Sequence, residues 1–98
     1  MPETDIVFLV KSKDGKKIRL TNAQWKHIKF RHPEMANMFK DMEDAIRNPT
    51  AVRRHSESII KFYKFIKNKK EYIMVAVRIL NGYGFIVTSY FTVKIQKE

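Results

Sequence analysis

Residues 71–80, EYIMVAVRIL, decide the fold. Ile73, Val75, Val77 and Ile79 fall on one face of an extended chain, and the run is apolar enough to be a central strand. The stretches on either side pair with it. Residues 58–67, SIIKFYKFIK, form a hairpin with it about Asn68-Lys69-Lys70, and residues 85–95, FIVTSYFTVKI, follow the Asn81-Gly82-Tyr83-Gly84 turn. Residues 51–55, AVRRH, add a short strand. Hairpin-linked strands are antiparallel.

Upstream, residues 6–10 (IVFLV) and 17–20 (KIRL) make a further hairpin around Asp14-Gly15. Thr21 with Gln24 three residues later is a capping box, so a helix begins at Asn22. Pro33 ends it at His32 and suits the first position of a second helix. Met35, Met38, Phe39, Met42, Ala45 and Ile46 recur at helical spacing as far as Asn48. Glu34, Asp41, Glu43 and Asp44 lie on that helix's outer face. The expected fold is α+β, with two N-terminal helices packed on one face of an antiparallel sheet of about four strands, and an N-terminal β-hairpin. One domain spans 1–98, divided into the hairpin (1–20), the helices (21–48) and the sheet (50–96).

The chain has 98 residues, 44% of them hydrophobic and 12% aromatic, so it is not a disordered segment. Cysteine is absent, which removes disulfides, thiolate nucleophiles and cysteine zinc sites together. No apolar stretch approaches the ~20 residues that span a bilayer, and no signal-peptide pattern opens the chain. No membrane association and a cytoplasmic location are expected. The net charge is +10. Residues 51–98 carry ten bases against three acids, so the surplus sits mainly in the second half. Such a balance favours a polyanionic partner, although surface lysines also serve solubility.

Three constellations could carry chemistry. WKHIKFRHPE, residues 25–34, puts His27, Arg31 and His32 near a helix end, where imidazole moves protons and guanidinium grips phosphate. His32 could equally cap the next helix. VTSYFT, residues 87–92, sends Ile86, Thr88, Tyr90 and Thr92 to one strand face. Phe85, Val87, Ser89, Phe91 and Val93 go to the other, towards the helices. Thr and Tyr there suit phosphate or base contacts, and also suit any solvated sheet face. KFYKFIKNKK, residues 61–70, alternates Lys with rings, as a nucleic-acid groove or a lysine-protected edge strand would.

What is missing narrows the chemistry. The acids cluster on the second helix's solvent face instead of grouping as metal ligands, so no metal and no cofactor is expected. No Gly-rich phosphate loop and no nucleophile-elbow serine occurs. Cleavage by His, Arg, Lys, Tyr or Thr alone suits RNA, whose 2′-hydroxyl supplies the nucleophile.

IRLTNAQWKHIKFRHPEM, then IRNPTAVRR, a basic-aromatic strand and a terminal VTSYFT, resemble the phage-associated barnase–EndoU–colicin–RelE-like (BECR) nuclease families. The resemblance covers residues 18 to about 94. It implies a small metal-independent endoribonuclease of toxin or phage-effector type. On the matching positions, His27 would be the general base or acid, with His32 its partner or orienter. Arg31 and Lys64 would stabilise phosphate charge, and Thr88 and Tyr90 would position the scissile group. Arg53, Arg54, Lys61, Tyr63, Lys67 and Arg78 would bind RNA, single-stranded or structured, transfer RNA included. A non-catalytic RNA-binding module is the alternative. A third reading is an interaction subunit meeting an acidic antitoxin or immunity protein.

Overall fold

The computed structural model describes residues 6–97. Its six strands are β1 (Ile6–Lys11), β2 (Lys17–Thr21), β3 (Ala51–Arg54), β4 (Ile59–Ile66), β5 (Glu71–Leu80) and β6 (Tyr83–Thr92). They form one sheet in the order β1-β2-β6-β5-β4-β3. Two helices, α1 (Asn22–Arg31) and α2 (Phe39–Arg47), lie between β2 and β3 in the chain. The expected four-stranded antiparallel sheet with N-terminal helices is thus corrected. The hairpin joins the main sheet, because β2 runs parallel to β6 with Lys17 opposite Tyr83, Ile18 opposite Gly84 and Arg19 opposite Phe85. The sheet is six-stranded and mixed, and the helices follow its first two strands. Residues 1–5, assigned above to the hairpin, and residue 98 lie outside the described residues.

Gly84 explains why β2 can dock there. A Cβ at Gly84 would lie 2.7 Å from Ile18 Cγ1 and 2.9 Å from Val77 Cγ1. The missing side chain lets Ile18 cross β6 and reach Val77, so the parallel pair closes over a shared core. Ile18 and Leu20 are completely buried as a result.

β5 is central, as its composition predicts, with Ile73, Val75 and Val77 buried beneath the helices. α1 contributes Trp25 and Ile28, and α2 contributes Met42, Ala45 and Ile46. Trp25 joins the helices by packing on Phe39, ring centroids 4.4 Å apart. The capping box at Thr21 is only half formed. Thr21 accepts the Gln24 backbone N–H at 3.2 Å, but the Gln24 side chain donates to the Val87 carbonyl on β6 instead of returning to Thr21. The predicted helix from Pro33 to Asn48 is broken. Pro33–Met35 is one 3₁₀ turn, whose i to i+3 bonding continues through Met38 N–H to Met35 O before α2 begins.

β6 carries one irregularity with large consequences. Thr88 stands opposite Ala76 and Ile86 opposite Val77, so Val87 is an extra, bulged residue. The bulge reverses the predicted alternation for part of the strand. Ile86 points to the helix core together with Ser89 and Phe91, whereas Phe85 and Val87 join Thr88, Tyr90 and Thr92 on the opposite face.

The turns follow local chemistry. Asn81 and Gly82 both have positive φ, 51° and 83°, as a two-residue hairpin turn requires. The β1–β2 connection is a five-residue loop, Ser12 to Lys16, in which Asp14 accepts from Lys16 and from Ser12. Those bonds hold the Asp14 carboxyl below its ordinary 3.8, the Lys16 bond being the larger cause.

Gly84→Ala should lower stability by ~1–3 kcal/mol through overpacking, seen as a reduced thermal midpoint. Asp14→Asn should cost about 0.5 kcal/mol or less, since the carboxylate is largely exposed. Because its folded value is depressed, that difference is present above pH 3.8 and vanishes as pH falls through the folded value. Denaturant titrations of both proteins at pH 2 and pH 6 test it.

Candidate nucleic-acid interface

The sheet has two chemically different faces. One is covered by α1 and α2. The other, which no helix covers, carries Lys17, Arg19, Arg53, Lys61 and Arg78 among the rings of Tyr63, Phe65, Tyr72, Tyr83, Phe85 and Tyr90. None of its strand residues is acidic. Among the described residues the one strand carboxylate, Glu71, pairs with Ile66 and belongs to the helix side. Strand period therefore separates charge. Asp41, Glu43 and Asp44 stand with α2 on one side, and bases interleaved with rings stand on the other. Such a surface neutralises phosphates and offers planes for stacking bases.

The RNA-binding positions named from the sequence divide accordingly. Arg53, Lys61 and Arg78 share the open face, with Arg53 opposite Lys61. Tyr63, on the same side of β4, is only 3% exposed beneath the C-terminal residues, and its ring is not open to RNA. Arg54 pairs with Ile60 on the helix side and donates to the Ser56 and Glu57 carbonyls. Lys67 is exposed in the β4–β5 turn. Arg19 escaped sequence reasoning. Its guanidinium lies 5.6 Å from the Tyr83 ring centroid and 5.5 Å from that of Phe85, and its buried Nε has no hydrogen bond among the described residues. The alternation of KIRLT, with Ile18 and Leu20 inward, is the signal that would have found it.

The candidate catalytic residues are gathered in part. β2 pairs with β6 only as far as Phe85, and α1 lies along the rest of that edge. Gln24, His27 and Arg31 form one helical stripe, spaced three and four residues, whose first member is bonded to β6. His27 and Arg31 are exposed, and neither makes a hydrogen bond or ion pair among the described residues. At the end of α1 the half-buried His32 packs on Tyr90, ring centroids 5.1 Å apart. Its Nδ1 lies 3.8 Å from Glu34 Oε2, and its Nε2 makes no hydrogen bond among the described residues. Thr88 stands two residues before Tyr90 on the same strand face.

Lys64 is placed elsewhere. Phe62, Lys64 and Ile66 share the helix face of β4, and the Lys64 ammonium donates to the Asn48 carbonyl at 3.0 Å and pairs with Asp44 at 3.3 Å. It caps the C-terminal end of α2, where a cation is favoured. Among the described residues its polar contacts are with the end of α2, and none is with α1 or β6.

The chain beyond β6 completes the surface. Thr92 Oγ1 donates to the Lys94 carbonyl and accepts its N–H, turning the chain back over the open face. Ile95 then joins Tyr63, Met74 and Ala76 in a second apolar cluster. Gln96 fastens the tail, as its N–H donates to Tyr63 Oη at 3.2 Å and its carbonyl accepts from Arg53 Nε at 3.0 Å. Its side chain bonds the Arg54 carbonyl and His55 Nδ1. Among the described residues no three of His, Cys, Asp or Glu come together as a metal-binding group. No helix among them is long and apolar enough to cross a membrane.

Comparison with protein-family models, curated proteins and solved structures gives no match.

Gln24→Ala should cost about 1 kcal/mol by freeing the Val87 carbonyl from its partner. It should also broaden or shift the amide resonances of residues 87–90, which a two-dimensional NMR spectrum reads directly.

Proposed function

We propose that this chain is a cytoplasmic, metal-independent endoribonuclease whose site is the corner between α1 and β6. The observation that carries this reading is the packing of His32 on Tyr90, where the basic stripe of α1 meets a sheet face that, among the described residues, has no carboxylate. RNA lying on that face would meet cations and rings and then pass beneath His27 and Arg31.

The chemistry needs a base, an acid and a cation. His27, exposed and without a polar partner among the described residues, takes the proton of the 2′-hydroxyl. The 2′-oxygen attacks phosphorus, and the bond from phosphorus to the 5′-oxygen breaks. His32 Nε2, oriented by Tyr90 and Glu34, returns a proton to the leaving 5′-oxygen. Arg31 stabilises the phosphorane charge, while Thr88 and Tyr90 position the phosphate. Products end in 2′,3′-cyclic phosphate and 5′-hydroxyl. Lys64, engaged by Asn48 and Asp44, takes no part. The resemblance of residues 25–34 to BECR nucleases supports the same assignment for His27, Arg31 and His32.

A second reading, RNA binding without cleavage, is favoured by one observation: the basic-aromatic face does not depend on His27. An acidic antitoxin or immunity protein would compete with RNA for that face.

Incubated with total RNA in excess chelator, the protein should release discrete cyclic-phosphate fragments. His27→Ala should slow this by ~10²–10⁴ while leaving RNA affinity nearly unchanged. Full activity in that variant removes His27 from the mechanism, and binding without cleavage by both proteins selects the second reading. Arg78→Glu should weaken RNA binding and flatten its dependence on salt, because fewer counterions are released.

A further inference from the structure

The returning tail leaves a groove of about 360 Å³ between itself and the sheet. That volume is at the small end of ligand-binding cavities, which start near ~300 Å³. Met74, Ile95 and the Tyr63 and Tyr90 rings give it an apolar lining, and Lys61, Lys94 and Lys97 stand at its rim. None of the three ammonium groups makes an ion pair or hydrogen bond among the described residues, and no described carboxylate lines the groove. Its far wall is held in place, since Gln96 ties the tail to β3 and β4 while Thr92 fixes the bend that begins it. Tyr90 belongs to two places at once: it lines this groove and it packs on His32.

Uncompensated cations around an apolar, ring-bearing slot fit a ligand with a flat base and a phosphate. The tail closes one side, so a duplex could not enter, whereas one splayed nucleotide could. We infer that the groove beneath the C-terminal tail is a subsite for one unpaired nucleotide of the RNA, adjoining the phosphate that is cleaved. Its base lies against Tyr90 and Ile95, and its phosphate is held by Lys61, Lys94 and Lys97. This rests on the proposed ribonuclease reading for its link to cleavage, and on the groove alone for nucleotide binding. The subsite would make cleavage depend on the nucleotide beside the scissile bond and confine it to unpaired RNA.

The test is an NMR titration of isotope-labelled protein with adenosine 5′-monophosphate, uridine 5′-monophosphate and inorganic phosphate. Saturable shifts at Tyr63, Tyr90, Thr92 and residues 94–97 are expected with the nucleotides, and at least tenfold weaker binding with phosphate. Lys94→Glu/Lys97→Glu should weaken nucleotide binding at least tenfold with an unchanged thermal midpoint, because both residues are exposed. Lys13→Glu/Lys40→Glu makes the same charge change on exposed residues outside the groove and should have little effect. Equal losses in the two variants, equal affinity for phosphate, or shifts outside the groove would overturn the subsite. If RNA is still cleaved in that event, the ribonuclease reading stands without it. Nucleotide bound in the groove by a protein that does not cleave RNA would remove the ribonuclease reading and leave the binding site.

Discussion

The close approach of Ile18 to Gly84 governs the placement of everything that follows it in the chain. Because position 84 has no side chain, β2 lies against β6 with Ile18 reaching Val77 and Ile79. Strand β2 then ends at Thr21, which is also the cap of α1, so the helix must start beside the middle of β6. The free half of β6 is covered by that helix instead of by another strand. Gln24 engages Val87, and His32 arrives at Tyr90. A larger residue at 84 would displace a strand and, with it, the corner where imidazole and phenol meet.

The bulge at Val87 plays the complementary part. Without it, either Ile86 or the Ser89–Phe91 pair would face away from the helices. With it, apolar residues on both sides of the irregularity reach the core, while Thr88, Tyr90 and Thr92 stay together on the open face. Sheet period does the same for charge on β4, where Lys61 faces the open side and Lys64 closes the end of α2. Two lysines three residues apart thus have unrelated surroundings. Strand period alone placed each on its face, and only the position of α2 determined what Lys64 would meet.

Local features were legible in the sequence. Thr21 and Pro33 marked the limits of α1, residues 81–84 marked a turn that the structure confines to Asn81-Gly82, and the apolar face of residues 73–79 marked the central strand. What could not be read involved partners distant in the chain. Nothing in KIRL announces a parallel neighbour at residues 83–85, and nothing in FIVTSYF announces a bulge. The helix predicted from Pro33 had suitable spacing throughout, yet the segment through Met38 keeps i to i+3 bonds and α2 starts at Phe39. For the site, the motif at residues 25–34 pointed to His27, Arg31 and His32, and the packing of His32 on Tyr90 is what two separated motifs could not reveal. Lys94 and Lys97 were not singled out because their place beside the groove comes from a tail folding back, which charge counting does not convey.

The parallel pairing of β2 with β6 also sets an order of events during synthesis. Strands β4, β5 and β6 are joined by short turns and can associate as soon as they exist, whereas β2 has no neighbour on its inner side until β6 has been made. The first hairpin, with α1 packed beside it, therefore waits for residues 83–92 before it joins the rest of the sheet. The corner between α1 and β6 forms no earlier than that step. A nascent chain whose residues 83–92 are still inside the ribosome does not yet possess it.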